Sequence, residues 1–137
     1  MNGALLVTTS LSCGLFYCST KSATIKNGIF NQKIGPNILP ENLTSLTFGY
    51  KFNQKIEPNI LPENLTNLAF GYHFNQKIEK NTLPNTITTL IFGYYFNQKI
   101  GLNILPENLT TLKFGWEFNQ KIDSEILPSN IKNINFN

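Results

Sequence analysis

The pentapeptide Phe-Asn-Gln-Lys-Ile begins at residues 30, 52, 74, 96 and 118, at a constant step of 22 residues. A fixed period of this length marks a chain built from stacked copies of one small unit. It has to be recognised before any motif is read as a site, because a missed repeat misassigns the whole fold.

The columns of the repeat carry two kinds of information. A Leu-Pro pair recurs at 39–40, 61–62, 83–84, 105–106 and 127–128. Three apolar positions follow it in the spacing L-x-x-L-x-F, as in Leu43, Leu46 and Phe48 or Leu65, Leu68 and Phe70. The alternation of the last two predicts a short strand with one buried face. The preceding proline disfavours a helix and sets an extended approach. Gly49, Gly71, Gly93 and Gly115 come next. They fit a turn out of the strand, where a positive backbone angle costs glycine little. No window shows helical periodicity long enough for a real helix.

Such a unit cannot bury its own apolar face, so successive units must stack, strand beside parallel strand at about 4.7–4.9 Å. The fold this predicts is an all-β repeat solenoid, leucine-rich-repeat-like and right-handed. It has a parallel sheet on one face, one short strand per 22-residue repeat, and little or no helix. The unit LPENLTSLTFGYKFNQKI resembles the FNIP repeat, a 22-residue relative of the leucine-rich repeat found in social amoebae and in giant DNA viruses of amoebae. The resemblance covers residues 30–137, as five repeats of which the last stops mid-repeat. In that family an F-box often precedes the repeats, which implies a substrate receptor for a ubiquitin ligase. Residues 1–29 do not look like an F-box and are read as an N-terminal segment or cap, with an extra strand around Ala23–Ile25.

Within the unit, Phe52 and its equivalents are expected to stack as a column in the core, with Ile56 and Leu61 closing it from the return path. Asn31, Asn53, Asn75, Asn97 and Asn119 are read as a structural ladder. Asparagine donates and accepts at once, and the irregular return path leaves backbone groups that need partners. The glutamine that follows has no role legible from the repeat. The column Lys33, Lys55, Lys77, Lys99 and Lys121 invites a nucleic-acid reading. But Glu57, Glu79 and Asp123 lie close by, the chain has no arginine, and no aromatics interleave. A solvated face, with no nucleic-acid partner, is the expectation.

Columns that stay constant report what the fold needs, so the columns that vary are where a partner can be chosen. Just past each glycine stand Tyr50-Lys51, Tyr72-His73, Tyr94-Tyr95 and Trp116-Glu117. These eight residues are the candidate binding strip, because Tyr and Trp are favoured in interfaces. The competing reading is that the Tyr/Trp column merely seals the edge of the core. The outward strand positions also vary, among them Thr47, Ala69, Ile91 and Lys113.

Composition closes off other classes. With 137 residues, 41% hydrophobic and 14% charged, the chain suits one folded domain, and its net charge of +3 is a weak bias. There is one histidine, His73, and no Ser/His/Asp set, paired-carboxylate design or phosphate-binding glycine loop. No enzyme, no cofactor and no metal are expected. Cys13 and Cys18 lack C-x-x-C spacing and stay open as a disulfide or two free thiols. No run is long enough to span a membrane.

The N-terminus lacks the basic start of a secretory signal, so a cytoplasmic location is expected, the host cytoplasm if the chain is viral. Asn42, Asn64 and Asn108 sit in N-L-T sequons and are read as turn chemistry. The functional expectation is a non-enzymatic scaffold for protein–protein interaction. The alternatives are a secreted or surface glycoprotein, or a truncated paralogue without selected function. The C-terminal coil is expected to be capped by another chain.

Overall fold

The computed structural model describes residues 22–24 and 30–137. The first strand, β1 (Ser22–Thr24), falls where one was expected. Ile25, the cysteine pair Cys13 and Cys18, and the rest of the cap reading lie outside the described residues. The others are β2 (Ser45–Thr47), β3 (Asn67–Ala69), β4 (Thr89–Ile91), β5 (Thr111–Phe114) and β6 (Asn133–Phe136). They form one six-stranded sheet in chain order, and every neighbouring pair is parallel. Register advances by one repeat per strand, so Leu46 lies beside Leu68, Leu68 beside Leu90, and Leu90 beside Leu112. The one helical element among the described residues is a single 3-10 turn, Ser124–Ile126.

Two tight turns shape each coil. The first precedes the strand: the N–H of Leu65 donates to the Pro62 carbonyl at 3.1 Å, and Leu43, Ile87, Leu109 and Ile131 repeat that bond in their own coils. Proline suits this place because it accepts through its carbonyl and is not asked to donate. The second follows the strand: Phe74 N–H donates to the Gly71 carbonyl at 3.2 Å, and Phe52, Phe96 and Phe118 do the same. The four residues of that turn are Gly, Tyr or Trp, one variable residue and Phe. The variable residue therefore sits at a corner, held between two fixed points.

The core is a set of columns. Leu, Ile and Phe from the strand, from both turns and from the return path are buried in every complete coil. Within a coil the two phenylalanines stack closely, Phe70 on Phe74 at 3.9 Å and Phe92 on Phe96 at 3.8 Å between ring centroids. Between coils each ring lies over its equivalent, Phe52, Phe74 and Phe96 following at 6.1 Å with planes within 6°. Offset contacts of this sort add about 0.5–1.5 kcal/mol each beyond burial.

The glycines serve a different purpose from the one expected. None of the described glycines has a positive φ. Instead, a Cβ on Gly71 would overlap the Gly49 carbonyl. On Gly93 it would overlap that of Gly71, and on Gly115 that of Gly93. The backbone of one coil lies directly against the backbone of the next, and only a residue without a side chain fits between them. Positive φ falls instead on a second asparagine column, Asn37, Asn59, Asn81 and Asn103, at 58–63°. Asparagine tolerates that left-handed conformation better than other side-chain-bearing residues.

One coil breaks its own column. Thr82 stands where the other coils have Ile38, Ile60, Ile104 and Ile126. It is 1% exposed, and its hydroxyl has no hydrogen-bond partner. An unsatisfied buried polar group of this kind costs about 1–3 kcal/mol.

Two outcomes follow for stability. Thr82→Val keeps the shape and removes the orphan hydroxyl, so it should raise the melting temperature; a lower one contradicts the assignment. Gly93→Ala should be strongly destabilising. Gly35→Ala should be nearly neutral, since its new methyl meets only Ile38 at 3.8 Å. Chemical denaturation of the two variants side by side measures the difference.

Candidate functional site

The return path holds itself together with side-chain amides. Asn53 Oδ1 accepts two bonds from the next coil, the Asn75 backbone N–H at 2.9 Å and Gln76 Nε2 at 2.9 Å. Asn75 accepts in the same way from Asn97 N–H and Gln98 Nε2 at 2.9 and 3.0 Å. The series starts with Asn31 accepting from Asn53 and Gln54, and reaches Asn119 and Gln120, which donate to Asn97. The glutamine that the repeat left unassigned is thus the second donor to each asparagine oxygen. This ladder supplies the coil-to-coil bonds on a side of the solenoid that has no sheet.

A second amide series crosses the turn before the strand. Asn64, Asn108 and Asn130 each donate Nδ2 to a carbonyl one coil back, those of Glu41, Asn85 and Glu107, at 2.9–3.0 Å. In the two sequon residues Asn64 and Asn108 the amide nitrogen is therefore engaged between coils. Where the third coil has Thr86 instead, its hydroxyl donates to the Leu65 carbonyl at 2.8 Å. Beside these, Thr66, Thr88 and Thr110 each donate Oγ1 to the threonine carbonyl one coil back.

With both sides of each coil pinned, the corner after the strand presents the variable residues. Tyr50, Tyr72 and Tyr94 stack face to face at 4.8 and 4.7 Å, with planes within 18°. His73 and Tyr95 form an outer column that meets the stack edge-on. His73 lies 4.9 Å from Tyr50 at 80°, and Tyr95 lies 5.2 Å from Tyr72 at 86°. His73 and Tyr95 are themselves 5.3 Å apart. Their backbone is fixed as well, since His73, Tyr95 and Glu117 N–H groups donate to the Tyr50, Tyr72 and Tyr94 carbonyls at 3.0–3.1 Å. Five rings of two columns thus interlock in one array.

The array seals itself and still faces outwards. Tyr72 and Tyr94 are half-buried in the stack, whereas Tyr50 is 51% exposed, Tyr95 41% and Trp116 69%. Among the described residues the stacking of the inner column stops at Tyr94, and Trp116 stands clear. Lys51 Nζ lies 5.6 Å from the Tyr50 ring centre, within cation–π reach. Desolvation among these rings pushes the Tyr72 phenol above its ordinary value of 10.0. The phenols of Tyr95, Tyr50 and Tyr94 and the Glu117 carboxylate push the same way. A raised phenol favours the neutral form in the folded state, so its contribution is complete below the ordinary value and is lost as pH rises through the folded one.

The structure thus brings six of the eight predicted strip residues into or against one array and leaves Trp116 and Glu117 at its end. Sequence reasoning missed that the two columns interlock. The Gly-Tyr-x-Phe turn, with two adjacent residues at its centre, was the signal that places them side by side.

The lysine column behaves as a solvated face. Lys55, Lys77 and Lys121 pair with Glu57, Glu79 and Asp123 at 3.3, 3.7 and 2.8 Å. Exposed pairs of this kind contribute about 0–1 kcal/mol. The bond to Asp123 also raises the Lys121 ammonium above its usual range. On the return side an open groove of about 520 Å³ is lined mainly by polar residues, among them Asn59, Glu63, Lys80, Asn81 and Glu107. Among the described residues no three His, Cys, Asp or Glu side chains converge on a point where a metal ion would fit. No helix among them is long and apolar enough to cross a membrane.

Comparison with known proteins supports the architecture. A family model described as FNIP Repeat matches residues 30–62, 52–95 and 96–137. The crystal structure of CroV588, a giant-virus protein described as a novel circular LRR protein structure, superposes with a TM-score of 0.75 at 52% sequence identity. The match covers 77% of this chain and 16% of the length of CroV588. No curated protein matches the chain.

The ladder makes a graded prediction. Asn75→Ala removes the acceptor for both Asn97 and Gln98 and should cost about 1–3 kcal/mol. Asn75→Asp keeps an acceptor and should cost clearly less. Equal losses for the two in equilibrium unfolding would show that the oxygen is not what matters.

Proposed function

This chain belongs to the FNIP repeat family, and we propose on that premise that it is a non-enzymatic scaffold that binds another protein at the aromatic corner. The observation that carries this is the contrast inside the turn Gly-Tyr-x-Phe. The glycine and phenylalanine are fixed by backbone contact and by burial, while the pair between them reads Tyr-Lys, Tyr-His, Tyr-Tyr and Trp-Glu. The fold demands the corner and leaves its chemistry free.

The interlocked rings favour binding for an energetic reason. An exposed flexible side chain loses rotamer freedom when a partner seats on it, at about 0.5–1.5 kcal/mol each. Here stacking and edge contacts have already fixed His73, Tyr72, Tyr94 and Tyr95. Ala69 and Ile91 lie on the neighbouring strands, partly exposed, and extend the surface with apolar area. Thr47 and Lys113 flank them on either side. An apolar centre with a polar rim is the usual anatomy of a protein interface.

The family's link to ubiquitin-ligase receptors makes a recruited protein the candidate partner; the chain spans 16% of CroV588, and partners of any larger assembly are part of the same proposal. The test is affinity capture from an amoebal lysate with three baits. These are the intact chain, one substituted at Lys51, His73, Tyr95 and Glu117, and a control substituted at Lys33 and Lys99 on the solvated face. Melting curves establish that all three are folded. The corner variant should lose the specific partners and the control should keep them. Recovery of the same proteins by both variants sinks the assignment.

A further inference from the structure

The binding corner is self-complementary under a two-fold rotation. Its outer column reads Lys51, His73, Tyr95 and Glu117, one residue per coil. Turning a second copy by 180° about an axis between His73 and Tyr95 reverses that order. Lys51 then faces the second copy's Glu117, Glu117 faces the second copy's Lys51, and His73 and Tyr95 face each other. In the inner column Tyr72 comes opposite Tyr94, and Tyr50 opposite Trp116.

We infer that the partner seated on this corner is a second copy of the same chain, in an antiparallel two-fold pair. The inference rests on the reading of the corner as a protein-binding surface and names its occupant. Three observations carry it. Lys51 and Glu117 make no ion pair within the chain among the described residues. The two unpaired charges have opposite sign and stand at opposite ends of the array. And the rings repeat at 4.7–4.8 Å, a spacing that a partner must share to meet every one of them. Another copy shares it by construction.

Charge also excludes the other alignment. A parallel pairing sets Lys51 against Lys51 and Glu117 against Glu117, and like charges brought together cost affinity. A closed two-fold contact uses the same patch on both copies and leaves no free half to propagate. The contact is small. Three coil steps make the strip about 14 Å long and only two residue columns wide, so its area falls well short of the roughly 800 Å² per partner of a standard stable interface. The pair is therefore transient, populated at high protein concentration and weakened by salt.

The test is sedimentation equilibrium over a wide concentration range, at low and moderate salt, on the full chain and on K51E and E117K. The wild-type chain should associate to a dimer and no further. Each single variant carries two like charges along its strip and should associate about tenfold more weakly, as expected for rim charges turned from attraction to repulsion. An equimolar mixture of K51E and E117K restores both opposite pairs and should recover wild-type association. Both substitutions sit at exposed positions, so circular dichroism should show unchanged folds.

A wild-type chain that stays monomeric at its highest soluble concentration overturns the inference, as does a mixture no tighter than either variant alone. If the chain is monomeric but the corner variant still loses captured proteins, self-pairing falls while the scaffold reading stands. If the mixture associates but capture ignores the corner, self-pairing stands and recruitment of a different protein falls.

Discussion

The spacing of about 4.7–4.9 Å between parallel strands governs everything else in this molecule. The sheet imposes it along one face. The rest of each coil is neither helix nor strand, and its backbone groups still need partners at that same distance. Asparagine oxygens meet the need on the return path, each taking a backbone N–H and a glutamine amide from the next coil. Asparagine and threonine donors meet it at the turn before the strand. At the turn after the strand the backbones come so close that only glycine fits.

These constraints explain why so little of the unit is free. A 22-residue coil has an inward face filled by leucine, isoleucine and phenylalanine, two turns with required residues, and a path pinned by amides. Apart from exceptions such as buried Thr82 and pinned Thr86, variation falls mainly on positions that touch none of these. The corner pair is the largest of them, and it lies where the chain changes direction and its side chains point away from the core. A surface assembled from such positions inherits the rigidity of the coil beneath it. Its chemistry then changes without cost to the fold.

Legibility followed the same division. The phenylalanine and leucine columns could be read because burial leaves a periodic trace, and each now stacks on its equivalent. The strands could be read because alternation is strong even over three residues. The glycines were read in part: they do open the turn after the strand, but close backbone approach, and not a positive φ, is what requires them. The left-handed positions were not legible: nothing in the repeat sets Asn37, Asn59, Asn81 and Asn103 apart from the chain's other asparagines, and only the backbone shows their positive φ. Gln54, Gln76, Gln98 and Gln120 kept their role concealed because their acceptor lies 23 residues back, and nothing local points to it.

The sequence by itself determined that this chain is a stack of 22-residue coils, which residues form its core, and where variation is allowed. A fixed period forces equivalent residues into register, so columns follow from the spelling alone. Only the tertiary structure decided what the variable corner is. Whether a tyrosine faces water or covers its neighbour depends on the distance and tilt between coils, and those are properties of the packed backbone. At 4.7–4.8 Å the tyrosines do both. They stack on one another, take His73 and Tyr95 against their edges, and present the whole array outwards with Lys51 at one end and Glu117 at the other.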